Sequence, residues 1–259
     1  MTRPGVPGSA GPVLLLHGQP GSARDWEKVR AAIGDRARTI AIDRPGWDGR
    51  SAPSGLAGNA SAAVAVLDAE RAGSATVVGH SFGAAIAAWL AAHHPERVEA
   101  LVLAAPSANL ASLNRLDRLL AMPLVGPVLA ATTLAGIGAA LTAPPLRERI
   151  GSRLSLDPRY LRASGRKLLS PGAWRSFSTE QRLLIRDLPL LERRLGAISA
   201  PTTIVIGTAD RIVPPSSARA LAGQISGAEV VQLPRATHLL PQERPEHLGE
   251  IIVAASRPR

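Results

Sequence analysis

Among the 259 residues, one serine sits where its hydroxyl can become a nucleophile. Gly79-His80-Ser81-Phe82-Gly83 follows the short aliphatic run Thr76–Val78 and opens the Ala-rich stretch Phe82–His94. A G-x-S-x-G pattern alone is weak, since this composition would produce it by chance in roughly one such chain in six. Its setting carries more. A strand turning sharply into a helix, with small residues two positions either side of the serine, lifts the hydroxyl clear of the backbone. The helix start then aims free N–H groups at the oxygen that gains charge during attack.

A serine hydroxyl is a poor nucleophile until a base takes its proton, and six histidines are available. His17 and His80 lie inside motif turns, where bracing a loop is the better role. His93 and His94 end a helix remote from the serine, and His247 falls within another helical pattern. His238 follows the run Glu229–Leu233 by the short loop Pro234-Arg235-Ala236-Thr237. That loop delivers it to the C-terminal edge of a parallel sheet, the edge at which Ser81 emerges. Asp210 follows Thr202–Ile206 in Gly207-Thr208-Ala209-Asp210, again at a strand end. A carboxylate there can fix the imidazole tautomer and stabilise its charged form. For the oxyanion, the expected donors are the backbone N–H of Phe82 and that of Gln19, in His17-Gly18-Gln19-Pro20-Gly21. Gln19 is preferred to its neighbour because Pro20 has no N–H.

The surrounding pattern must place these groups together. Val13–Leu16, Thr39–Ile42, Thr76–Val78, Leu101–Ala104, Thr202–Ile206 and Glu229–Leu233 read as strands. Most are apolar nearly throughout, as parallel strands covered on both faces must be. Helical patterns alternate with them at Asp25–Ile33, Ala60–Ala72, Phe82–His94, Ser216–Gln224 and Pro241–Ala254. This predicts an α/β fold with a doubly wound, mostly parallel sheet. The alternation lapses once, where Leu110–Ala121, Leu124–Leu141, Leu146–Leu154, Pro158–Leu169 and Ala173–Ile185 read as consecutive helices. Residues 107–196 are therefore expected to form a helical cap inserted into a core made of 1–106 and 197–259.

Composition excludes several alternatives. With no cysteine there is no thiolate chemistry and no disulfide. No G-K-[ST], G-x-G-x-x-G or H-E-x-x-H occurs, so neither a nucleotide cofactor nor a metal is expected. The net charge of +10 rests almost wholly on arginine, with Lys28 and Lys167 the only lysines. Between Arg147 and Arg194 twelve basic and five acidic residues give a local +7. Solvated helix faces account for this, or a basic rim that steers anionic substrates or lipid headgroups. Aromatics at 3% supply no stacking platform, so a nucleic-acid partner is not expected.

No apolar leader is visible before the first strand, and the expected location is cytoplasmic. The uncharged stretch from Leu119 to Leu146 is long enough to cross a bilayer. Its prolines and glycines fit an apolar lid over the pocket better than a span. Transient contact of that lid with a membrane surface stays open, and the sequence does not fix the oligomeric state.

Over nearly its whole length the chain resembles the α/β-hydrolase superfamily. The resemblance is carried by LLLHGQPGSARDW, IAIDRPGWDGRS, VVGHSFGAAIAAWLAAHHPERVEALVL, APTTIVIGTADRIVP and LPRATHLLPQERPE. It implies that Ser81, Asp210 and His238 form the triad, that Gln19 and Phe82 supply the oxyanion amides, and that the helical block shapes the substrate pocket. Two departures accompany it. The superfamily's sheet usually opens with two further strands, for which the dozen residues before Val13 leave little room. The loop Asp43–Ser51 is one residue longer than the common D-R-P-G-x-G-x-S form. Dehalogenases and epoxide hydrolases of the superfamily carry aspartate at the nucleophile position, so Ser81 argues against both. The implied activity is hydrolysis of small or medium carboxylic esters with an apolar acyl part. The alternatives are a carbon–carbon bond hydrolase of ring-cleavage products and a ligand receptor that retains the pocket without turnover.

Overall fold

A computed structural model describes residues 11–154 and 156–257. Six parallel strands form one sheet in the order β2-β1-β3-β4-β5-β6. They are β1 (Val13–Leu16), β2 (Thr39–Ile42), β3 (Ala75–His80), β4 (Val98–Ala104), β5 (Thr202–Gly207) and β6 (Glu229–Leu233). β1 and β3 are buried at every position, as their unbroken apolar sequences require. β2 is only half-buried throughout, because among the described residues it is the sheet's edge. The expectation of a shortened opening edge falls on residues 1–10, which lie outside the described residues.

The strand order reverses between β1 and β3, where β1 sends the chain to β2 on one side and β3 continues on the other. Loops leaving adjacent strands at such a switch point diverge and leave a crevice at the C-terminal edge. Ser81 follows β3 directly and the loop at His17 follows β1, so both border it.

Helices cover the sheet: α1 (Glu27–Ile33), α2 (Leu56–Ala69) and α3 (Phe82–His93) come before the long insertion. Between β4 and β5 the chain makes α4 (Arg115–Leu120), α5 (Val125–Thr142), α6 (Pro144–Leu154), α7 (Pro158–Leu168) and α8 (Pro171–Glu192), with no strand among the described residues. After β5 come α9 (Pro215–Ala222), α10 (Leu240–Glu243) and α11 (Pro245–Ala255). The main core gathers the strands, α3 and the end of α8 through Leu184, Leu188 and Leu191. A second, smaller cluster of Leu134, Leu141, Leu156, Leu161 and Leu168 holds the insertion together. The insertion is thus anchored to the core by α8, which contributes to the one and covers the other.

Several boundaries differ from the sequence expectation for local reasons. β3 runs on through Gly79 and His80, because His80 still pairs with Ala104 of β4. The single helix expected over Leu110–Ala121 is instead a 3-10 turn, Leu110–Ser112, followed by α4. Asn109 and Asn114 each accept a backbone N–H three residues on, so each starts its own helical segment. α8 begins at Pro171, with Ser170 as its cap, and runs past Ile185 to Glu192. Pro189 lies near its C-terminal end, where the helix forgoes the one hydrogen bond that residue 189 would donate to the Ile185 carbonyl. The helix expected over Pro241–Ala254 breaks at Arg244, held out of helical conformation (φ −134, ψ 46) by the proline that follows.

Candidate active site

Ser81 joins β3 to α3 with φ 54 and ψ −119, a left-handed conformation that a residue with a Cβ adopts only under constraint. The constraint is visible. Its N–H donates to the Ala104 carbonyl at 2.9 Å, and its carbonyl accepts from Ala84 at 3.0 Å and from Ser107 at 3.3 Å. The flanking glycines are required by close approach. A Cβ on Gly79 would lie 2.2 Å from the Gly83 carbonyl oxygen, and one on Gly83 would lie 2.2 Å from that of Leu16. The turn therefore puts the serine side chain at the sheet edge, with α3 beginning at the next residue.

Asp210 and His238 meet there, on the ends of β5 and β6. The His238 Nδ1 stands 2.8 Å from Asp210 Oδ2. Asp210 Oδ1 accepts from the Ile212 and Val213 N–H groups at 2.8 and 2.9 Å, which fixes the carboxylate and leaves Oδ2 for the ring. That arrangement puts the proton on His238 Nδ1 and leaves Nε2 free as a base. Both residues are buried, as is Ser81.

His80 Nε2 lies 2.8 Å from the His238 carbonyl, and the two rings are 5.0 Å apart between centroids. Burial pushes the His80 pKa down to about 3, so the ring is neutral and donates from Nε2. Ser81 is thereby linked, through its neighbour, to the loop that carries His238. Among the described residues no hydrogen bond within 3.5 Å joins the Ser81 hydroxyl to the imidazole. Such contacts often tighten only when substrate is bound.

The loop after β1 closes the other side. Gly18 packs so tightly that a Cβ on it would sit 3.1 Å from that of Ser81. Among the described residues no hydrogen bond to a protein acceptor is found for the amides of Gln19 and Phe82. His17 is fully buried. Its Nε2 accepts from the Arg44 N–H at 3.2 Å, so Nδ1 carries the proton and donates to the Gly18 carbonyl at 2.8 Å. Burial, reinforced by the Arg44 charge, holds its pKa well below the ordinary histidine value.

Sequence reasoning missed the group that holds this loop. Arg44 is fully buried and donates from Nε to the His17 carbonyl at 2.9 Å and from Nη2 to that of Gly18 at 2.9 Å. Its other contacts are Asn59 Oδ1 at 3.1 Å and Glu180 of α8, whose two carboxylate oxygens lie 2.5 and 3.2 Å away. Trp47 Nε1 donates to the same carboxylate at 2.8 Å, and the guanidinium stacks over Phe82, 4.8 Å from the ring centroid. Beside it, Gln19 Nε2 donates to Gln181 of α8 at 2.6 Å, and Gln181 donates in turn to Asp117 of α4. Arg44 was legible only as part of D-R-P-G. Nothing near Glu180 in the sequence marks its partner, which lies 136 residues away.

The α/β hydrolase family model matches residues 13–248, and the chain belongs to that family. An uncharacterized protein of Mycobacterium tuberculosis is 26% identical over 247 residues, 87% of this chain and 69% of that one. The lipase LipV of the same organism is 40% identical over 110 residues, covering 40% of this chain and 41% of its own. Among solved structures, a hydrolase from Pseudomonas aeruginosa PA01 superposes with a TM-score of 0.74 at 25% identity, covering 95% of this chain and 89% of that one.

Proposed function

We propose that this protein is a serine hydrolase that cleaves carboxylic esters of small to medium apolar acyl groups through an acyl-enzyme on Ser81. One observation carries the reading. The strained serine on a strand-to-helix turn directly follows His80, whose ring lies 5.0 Å from that of His238, and the His238 Nδ1 is already paired to a buried carboxylate. In this scheme His238 Nε2 takes the Ser81 proton as Oγ attacks the ester carbonyl. Asp210 stabilises the imidazolium that forms, without itself taking the proton. The Gln19 and Phe82 amides, joined by the positive end of α3, receive the negative charge on the carbonyl oxygen. His238 then gives its proton to the leaving alcohol and draws one from the water that releases the acid. The match to a lipase supports an acyl ester as substrate, and the apolar side chains of the insertion suit an apolar acyl part.

Ser81→Ala is expected to lower turnover of a p-nitrophenyl ester by at least about 10⁴-fold with unchanged circular dichroism. A fluorophosphonate probe is expected to label the parent protein and not this variant. Full activity in the pure variant would remove Ser81 from the role. A panel of esters graded in acyl length, run beside a ring-cleavage dienoate, decides between ester and carbon–carbon bond hydrolysis by the larger kcat/KM. Tight binding with no turnover on either would point to a receptor.

A further inference from the structure

We propose that the α4–α5 corner of the insertion is a docking surface for anionic lipid membranes. Among the described residues twelve large hydrophobic side chains are exposed, and eleven of them lie in the insertion. Six crowd into thirteen residues: Leu116, Leu119, Met122, Leu124, Val125 and Val128. Leu124 is 87% exposed and Val128 64%. A water-facing helix normally carries charge on its outer face, yet α5 has none anywhere in its eighteen residues.

The charge of the insertion, and of α4 at this corner, selects the occupant. Residues 107–196 hold fourteen basic and six acidic side chains, a net of +8 out of +10 for the whole chain. No carboxylate occurs between Asp117 and Glu148. Arg115 and Arg118 are exposed on α4 beside Leu116 and Leu119. Apolar tips interleaved with arginine are the arrangement that partitions into an anionic interface, where the cations meet headgroup phosphates and the apolar groups enter the acyl boundary. A second copy of the chain would bring the same positive charge against this face, which opposes a symmetric dimer through it.

The mode is contact in the plane of the membrane. By length and hydropathy α5 could cross a bilayer. Its other stripe, Gly126, Ala130, Leu134, Gly138 and Leu141, is buried. Gly138 meets α7 so closely that a Cβ there would lie 2.8 Å from the Gly165 carbonyl oxygen. Spanning would tear out these contacts, whereas surface binding uses only what is already exposed.

The test is flotation of the whole chain with vesicles of phosphatidylcholine alone or mixed with phosphatidylglycerol. Binding is expected to favour the anionic vesicles and to fall as salt rises. The double substitution Leu124→Asp with Val128→Asp should weaken partitioning by at least about tenfold at unchanged melting temperature, since both side chains already face solvent. Arg115→Glu with Arg118→Glu should abolish the preference for the anionic vesicles. Equal affinity for both vesicle types, or full binding by the Leu124/Val128 variant, would overturn the proposal. So would a dimer in sedimentation velocity that the same variant dissolves, which would assign the corner to a second copy. None of these readouts depends on catalysis.

Discussion

At the scale of single residues, the turn at Ser81 is tightly constrained, and its neighbours show why. A Cβ on Gly79 or Gly83 would run into backbone oxygens that no rotamer change can move. Gly79→Ala and Gly83→Ala are therefore each expected to cost more than about 3 kcal/mol, or to prevent soluble expression, in urea denaturation. Gly136→Ala is the contrasting case. Gly136 lies inside α5, nothing stands within 4 Å of its missing Cβ, and the substitution should stabilise the protein by about 0.5–1 kcal/mol. Ser81 itself stores strain at φ 54, so Ser81→Gly should melt above Ser81→Ala although both remove the hydroxyl. Equal melting temperatures would show that the turn costs nothing. That Ser81, Asp210 and His238 lie at strand ends was legible in the sequence, Ser81 directly after its strand between flanking glycines and the other two after short loops. The Arg44–Glu180 contact was not, since burial of an ion pair between distant segments leaves no local pattern.

At the scale of elements, that ion pair helps to join three segments: the loop after β1, the loop after β2, and α8 of the insertion. Burial pushes the Glu180 carboxyl up against the pull of Arg44, which marks the pair as costly to keep desolvated. Removing one partner is worse still. Glu180→Leu leaves a buried guanidinium without its counter-charge and is expected to destabilise by about 3–5 kcal/mol. Adding Arg44→Met should restore part of that stability, because the stranded charge is gone. Ester turnover should not recover in the double variant, since the His17 and Gly18 carbonyls lose the donors that hold the loop bearing Gln19. Recovery of both stability and turnover would mean that the pair is structural only. The strands and outer helices were readable from periodicity. The insertion was less so, because asparagine caps and prolines decide where its helices start and stop, and α8 takes its extent from packing on two cores at once.

For the molecule as a whole, the buried titratable groups oppose one another, and their sum sets how the fold responds to acid. His17 and His80 are neutral in the folded state, with pKa values pushed well below the ordinary value and to about 3. Once unfolded they bind protons near pH 6.5, so stability is undiminished above that pH and is lost progressively as pH falls toward 3. Asp25 works in the other direction. It is wedged between Tyr160 of α7 and the turn at Ser22, and burial raises its pKa to about 6. Its carboxylate is a penalty above pH 6 that is relieved as pH falls toward 4. The Glu180 and Asp117 carboxyls, also raised by burial, act in the same direction as Asp25, so the melting temperature should fall with acid less steeply than the histidines alone would dictate. Asp25→Asn keeps an acceptor for the Ser22 N–H and removes the charge. The variant should melt higher at pH 7.5, by no more than about 3 kcal/mol in stability, and lose that advantage by pH 4, giving a steeper acid limb than the parent. Parallel melting curves for the two proteins across this window would show that Asp25 ionises at its ordinary pKa and that the contact between α7 and the core does not desolvate its carboxylate.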